Sequence, residues 1–171
     1  MSLNLVDPFM KFSSGGSETQ YCQTEYDEAL PVYNGYGGGT REGVQWKGSH
    51  TLIGKSAVKA TVHSKKVGSP TGTMYYRIYN TSGVLQHTFG SKDVSTLTTR
   101  VQSYQFESSA YTIQDHDILV LEYTGGDSSN YVTTTKENGQ GFTNEMFVDY
   151  PSGSFRYQSD KGNSYCITYE D

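Results

Sequence analysis

Residues 65–80, KKVGSPTGTMYYRIYN, decide the fold. Ser69-Pro70-Thr71-Gly72 is a turn signal, because proline presets one turn dihedral and glycine accepts the others. The strand that follows alternates its side chains. Met74, Tyr76 and Ile78 point one way, and Tyr75, Arg77 and Tyr79 the other, as in a half-buried β-strand. Residues 117–131, DILVLEYTGGDSSNY, read the same way, with the strand first and a glycine-marked turn after it.

Working outward, strand candidates recur about every 8–15 residues. They are VQWKG, SHTLIG, AVKATVHSKKV, TMYYRIYN, VLQHTF, VQSYQFE, DILVLEY, NYVTTTK, EMFVDY, SFRYQ and SYCITYE, preceded by QYCQTEY. Turn signals separate them at Asn80-Thr81-Ser82-Gly83, Gly125-Gly126-Asp127 and Pro151-Ser152-Gly153. No window carries sustained helical apolar spacing. Strands this numerous and close together predict an all-β fold, an antiparallel sandwich of two packed sheets. Its expected core includes Val62, Ile78, Phe106, Leu119, Leu121 and Phe147.

Composition agrees. The chain has 171 residues, enough for one domain, with 15 Tyr and 19 Gly but only 18% charged residues. Tyrosine supplies bulk for pleated surfaces and glycine supplies tight turns, whereas a disordered chain is rich in charge and poor in aromatics. The net charge of −5, with no basic run longer than Lys65-Lys66, argues against a nucleic-acid partner. No apolar run approaches the length of a membrane span, so membrane insertion is not expected. MSLNLVDPFMKF has no basic region, sustained apolar run or small-residue cleavage pattern, and the expectation is either a chain already in its mature form or a protein that reaches its destination without a secretion signal.

Two units are expected, an N-terminal arm over residues 1–19 and a single sandwich domain over residues 20–171. The arm carries Leu3, Leu5, Val6, Phe9 and Phe12 without strand or helix periodicity, then the pliable FSSGGSET. It reads either as a segment lying on its own domain or as an assembly arm docking on a neighbouring subunit. The loop PVYNGYGGGTREG presents Tyr33 and Tyr36 on a glycine-rich stretch, but lacks the lysine and helix of a phosphate-binding loop. Cys22 and Cys166, both inside candidate strands, read either as a disulfide joining the first and last strands or as two buried thiols.

The pattern at 65–73, the Val-Ser-Thr-Leu-Thr-Thr connector at 94–99, the Tyr-Gln-Phe strand at 104–106 and Gly-Gly-Asp-Ser-Ser-Asn-Tyr at 125–131 carry a resemblance over residues 43–168. The chain resembles jelly-roll β-sandwich modules of viral structural proteins and of secreted archaeal and bacterial proteins. The resemblance implies a jelly roll. It also implies one of three roles: virion surface protein, adhesive domain or carbohydrate-binding module.

Catalytic signals are weak. His50, His63, His87 and His116 show no metal-ligand spacing, and no serine sits in a nucleophile elbow. Asp115/Asp117 and Glu25/Asp27/Glu28 read as loop acids rather than a glycosidic pair. Asp127 and Asn130 in GGDSSN offer oxygen ligands for calcium, but without an EF-hand pattern of alternating acids they read first as an Asx-turn that spends them on the backbone. No other cofactor is expected. Tyrosines in excess of the inward positions suit sugar stacking or subunit contacts, and Trp46 suits core or interface alike.

The reading is therefore a non-enzymatic structural protein of a virion or similar assembly, forming a homo-oligomer or packing on other virion proteins. Leu3, Leu5, Phe9, Phe12, Tyr33, Tyr36 and Trp46 are the contact candidates. The alternative is an extracellular or cell-surface module that recognises glycans through exposed aromatics.

Overall fold

The computed structural model of the chain describes residues 17–23, 28–37, 39–138, 144–151 and 153–170. Leu3, Leu5, Phe9 and Phe12 lie outside the described residues, as do Glu25 and Asp27. Of the expected arm, Glu18 and Thr19 instead open the first strand.

The described residues form fourteen strands and one 3-10 turn, with no α-helix. One sheet orders β1 (Glu18–Gln23), β14 (Tyr165–Glu170), β4 (Ser56–Ser64) and β8 (Gln102–Thr112) side by side. A second orders β12 (Arg156–Gln158), β11 (Glu145–Asp149), β3 (Arg41–Trp46), β9 (Ile118–Glu122), β6 (Thr73–Tyr79) and β7 (Leu85–Asp93). Take the eight strands β1, β3, β4, β6, β7, β8, β9 and β14 in chain order. The first sheet then reads first, eighth, third, sixth, and the second reads second, seventh, fourth, fifth. That is the double Greek key of a jelly roll, and every pairing within it is antiparallel.

The two sheets face each other across one apolar core. Ala60 and Val62 of β4 and Tyr165 and Ile167 of β14 meet Val44, Trp46, Met74, Tyr76, Ile78, Leu119 and Leu121 from the other sheet. Five of the six residues expected inside are buried. Phe106 is the exception. It sits on edge strand β8 and is half-buried, its ring occupying the space a side chain at Gly90 would need.

A third ladder joins at one end, where β10 (Tyr131–Asn138) lies between β2 (Glu28–Val32) on one side and β5 (Lys66–Val67) with β13 (Lys161–Asn163) on the other. It exists because β4 and β14 each break for one residue. At those breaks the backbone turns to β10, with Thr133 N donating to Lys65 O (3.0 Å) and Ser164 N to Thr135 O (3.3 Å). The ladder adds a third sheet to the expected sandwich.

SHTLIG is not a strand. Gly48 before it and Gly54 at its end adopt positive φ, and between them Leu52 is fully buried, with His50 buried and Ile53 half-buried against the core. Cys22 and Cys166 are bonded directly across the β1–β14 register, on the solvent side of the first sheet.

Candidate functional site

The outer face of the six-stranded sheet gathers the most chemistry. Alternation sends Val44 and Trp46 of β3, Leu119 and Leu121 of β9, and Tyr76 and Ile78 of β6 inward. It therefore turns Arg41, Glu122, Tyr75, Arg77 and Tyr79 outward. The register Arg41↔Glu122↔Tyr75 sets an arginine, a glutamate and a tyrosine in one row across three strands.

Glu122 is the hub. Its Oε1 accepts from Arg41 Nε at 3.0 Å, and its Oε2 from Arg77 Nη1 at 2.6 Å and Tyr79 OH at 2.7 Å. Burial alone would raise this carboxyl. The hydrogen bonds from Tyr79 and Arg77, together with Arg41, outweigh it and hold the group below the usual carboxylate range. Tyr79 responds in the opposite sense: burial and the neighbouring carboxylate push its hydroxyl up.

Both arginines lie on aromatic rings. The Arg77 guanidinium sits 3.8 Å from the centre of Tyr75, and that of Arg41 sits 4.2 Å from Tyr79 and 4.4 Å from Tyr150. Stacking of this kind fixes a planar cation and leaves its edge free to bond. Among the described residues, the two terminal nitrogens of Arg41 have no acceptor, and the side chain is 18% exposed. Two cations against one carboxylate leave a local positive charge on a chain of net charge −5.

Tyr150 is held in place from beneath. Gly39, at φ +84°, bridges it, and a Cβ there would stand 1.8 Å from the Tyr150 carbonyl oxygen. Phe155 then closes over Ile118, Val120 and Val148, its ring 5.0 Å from Tyr150 and 6.1 Å from Tyr79. Tyr157 continues the face, 37% exposed.

Of the residues singled out from sequence, Tyr33 and Tyr36 are half-buried and stack in a row with Tyr131 (5.5 and 5.6 Å between centroids). Their loop is closed by Tyr36 N to Tyr33 O and Gly39 N to Tyr36 O bonds. Trp46 is no surface contact: it is fully buried and donates to Tyr165 OH at 2.7 Å. A lone tryptophan on β3, in phase with Val44, points into the sandwich.

Asp127 and Asn130 form the Asx-turn. Asp127 Oδ1 accepts from Ser129 N (2.7 Å) and Asn130 N (3.0 Å), and Asn130 Oδ1 accepts from Ser69 N (2.9 Å). These backbone donors hold the Asp127 carboxyl low. Among the described residues no group of three or more His, Cys, Asp or Glu gathers as metal ligands do. Asp117 is no loop acid in solvent. It is buried, and its Oδ2 accepts from Tyr111 OH and Gln114 N at 2.8 Å each, tying β8 to β9.

A second polar cluster lies inside the core. Glu145 Oε1 meets His50 Nε2 at 2.7 Å and accepts from Tyr165 OH (2.7 Å) and Tyr21 OH (2.9 Å). Leu52 N donates to His50 Nδ1 at 3.2 Å, which makes Nδ1 the acceptor and Nε2–H the donor to Glu145. Burial and the Glu145 charge push the Tyr21 hydroxyl up to about 12. With both ring nitrogens engaged, His50 has no lone pair left for a metal or a substrate.

Sequence reading reached Arg77 as an outward residue of β6 but missed Arg41 and Glu122. Glu122 did carry a signal. In ILVLE it shares its face with Ile118 and Val120, so a charge lies on a strand that is apolar on both sides, which demands a buried partner. Arg41 was hidden in what read as the end of a glycine-rich loop.

No protein-family model matches the chain, and no curated protein is similar to it.

Proposed function

We propose that the chain is a non-enzymatic structural protein of a virion or a similar assembly, a jelly-roll subunit that packs against copies of itself or other virion proteins. The observation that carries this reading is the eight-strand order of the two sheets, an architecture shared with capsid proteins. Two further features support it. Both ring nitrogens of the buried His50 are engaged within the fold, and the bond between Cys22 and Cys166 suits a protein exposed to oxidising surroundings outside the cell. Among the described residues no helix is long and apolar enough to cross a membrane. The docking element in this reading is the apolar segment around Leu3, Leu5, Phe9 and Phe12 together with the Tyr33 and Tyr36 loop.

The test is size-exclusion chromatography and negative-stain microscopy of the full chain beside a variant lacking residues 2–14. The full chain should form particles or closed oligomers, and the deletion should stay folded and fail to assemble. A full chain that stays monomeric at high concentration overturns the reading, and a deletion that assembles normally removes the arm from it.

A second reading, glycan recognition by an extracellular or cell-surface module, is favoured by the outer face itself. Tyr157 offers an exposed ring, and Tyr75 and Tyr150 offer half-buried rings each stacked by an arginine, a combination of aromatic and fixed polar groups that suits sugar rings. Binding on a glycan array that is lost in Tyr75→Ala and Tyr157→Ala variants would support it, and an array with no signal would end it.

A further inference from the structure

We propose that the outer face of the six-stranded sheet binds a carboxylate-bearing sugar, with Arg41 as the anchor for the carboxylate. The inference rests on the glycan reading of this face and deepens it by naming the ligand class.

Three observations point to an acid rather than a neutral sugar. First, the Arg41 guanidinium is already immobilised, by Nε on Glu122 at 3.0 Å and by the rings of Tyr79 and Tyr150. Binding therefore costs little further side-chain entropy. Second, its two terminal nitrogens have no acceptor among the described residues, and a carboxylate matches that paired edge with two parallel bonds. Third, Glu122 cannot neutralise the site alone, because Arg77 shares it at 2.6 Å. The row retains one unit of positive charge.

The surroundings set the rest of the ligand. The half-buried ring of Tyr75 lies along the same row beyond Glu122, and Tyr150 flanks Arg41. A ring face not taken by its arginine suits the C–H face of a pyranose. A chain of net charge −5 repels a densely charged polyanion, whereas an oligosaccharide carrying isolated carboxylates meets the local positive charge of Arg41 and Arg77. An acidic peptide would use the arginine but leave the ring faces without a matching partner.

The experiment is titration calorimetry of the full chain with uronic-acid oligosaccharides and with the same oligosaccharides as methyl esters. Poly-glutamate serves as a competitor, and Arg41→Gln and Arg41→Lys variants are run alongside. The acid should bind at least roughly tenfold more tightly than the ester. Arg41→Gln should lose that preference, and Arg41→Lys should recover part of it, since lysine keeps the charge without the fork. Should either variant fail to fold, the comparison of acid with ester on the unaltered chain decides alone. Equal binding of acid and ester overturns the assignment and leaves the glycan reading standing. No binding of either overturns both. Displacement by poly-glutamate at matched carboxylate concentration reassigns the site to acidic peptide.

Discussion

Glu42 is the residue most at odds with its surroundings. It is buried between β3 and the third ladder, and its Oε2 has no hydrogen-bond partner. Burial first, and the nearby Asp149 carboxylate second, raise its proton affinity well above the usual carboxylate range despite Lys136, Lys161 and Arg156. The folded chain thus holds this proton more tightly than the unfolded chain. The resulting stability is fullest in acid and declines as pH rises from the ordinary carboxyl range through the raised folded value. Glu42→Gln should therefore raise the melting temperature at pH 7, with the gain vanishing below roughly pH 4. Calorimetric melts at the two pH values check this, and a lower melting temperature at pH 7 refutes it. Glu122 behaves in the opposite sense. Its folded value is lowered, so its stabilisation is present above the ordinary carboxyl range and is lost as pH falls through the folded value. Glu122→Gln removes the counter-charge of two arginines at once and should cost about 2–4 kcal/mol at neutral pH by urea titration, less in acid.

Among the elements, those with clean alternation were legible and those without were not. β6 and β9 stand where TMYYRIYN and DILVLEY put them. β2 was missed because Pro31 interrupts EALPV. The proline is tolerated because β2 pairs with β10 on one side only, leaving the other edge without a ladder bond to lose. β13, KGN, has no pattern of its own and exists only because β10 lies alongside it. The residues 49–54 carry Leu and Ile side by side, which mimics a buried strand but here makes two turns around Leu52. The β1–β14 pair was legible from its two cysteines, though not whether they bond. Replacing both Cys22 and Cys166 with Ser should leave the register intact and cost about 2–5 kcal/mol in a denaturant melt. A loss under 1 kcal/mol would mean that the ladder of β1 on β14 is sufficient alone.

For the molecule as a whole, alternation announces a sandwich but not which strands are neighbours. The pairing of β4 with β14 joins residues about a hundred positions apart, a contact no local pattern encodes. The outer-face cluster is of the same kind: Arg41, Arg77 and Glu122 come from three strands well separated in the chain. The core is the cooperative unit that makes such contacts persist. Leu121, fully buried between the sheets, tests it. Leu121→Ala should cost about 2–5 kcal/mol, with the far-ultraviolet dichroism keeping its strand signature below the transition. A change too small to measure would mean that the two sheets are not held by this layer.

The bond between β1 and β14 also sets how the molecule bears tension. Glu18 faces Glu170 at the open end of an antiparallel pair, so a pull applied at those two residues would unzip the ladder one rung at a time. Thr19↔Tyr169, Gln20↔Thr168 and Tyr21↔Ile167 would part in turn, and the fourth separation would arrive at Cys22–Cys166. There the load passes from hydrogen bonds to a covalent link, and the sheets beyond it feel no force. A single-molecule trace should show a short extension and then a stiff stop, with the long release of the sandwich appearing only after a reductant has reached the exposed Cys22.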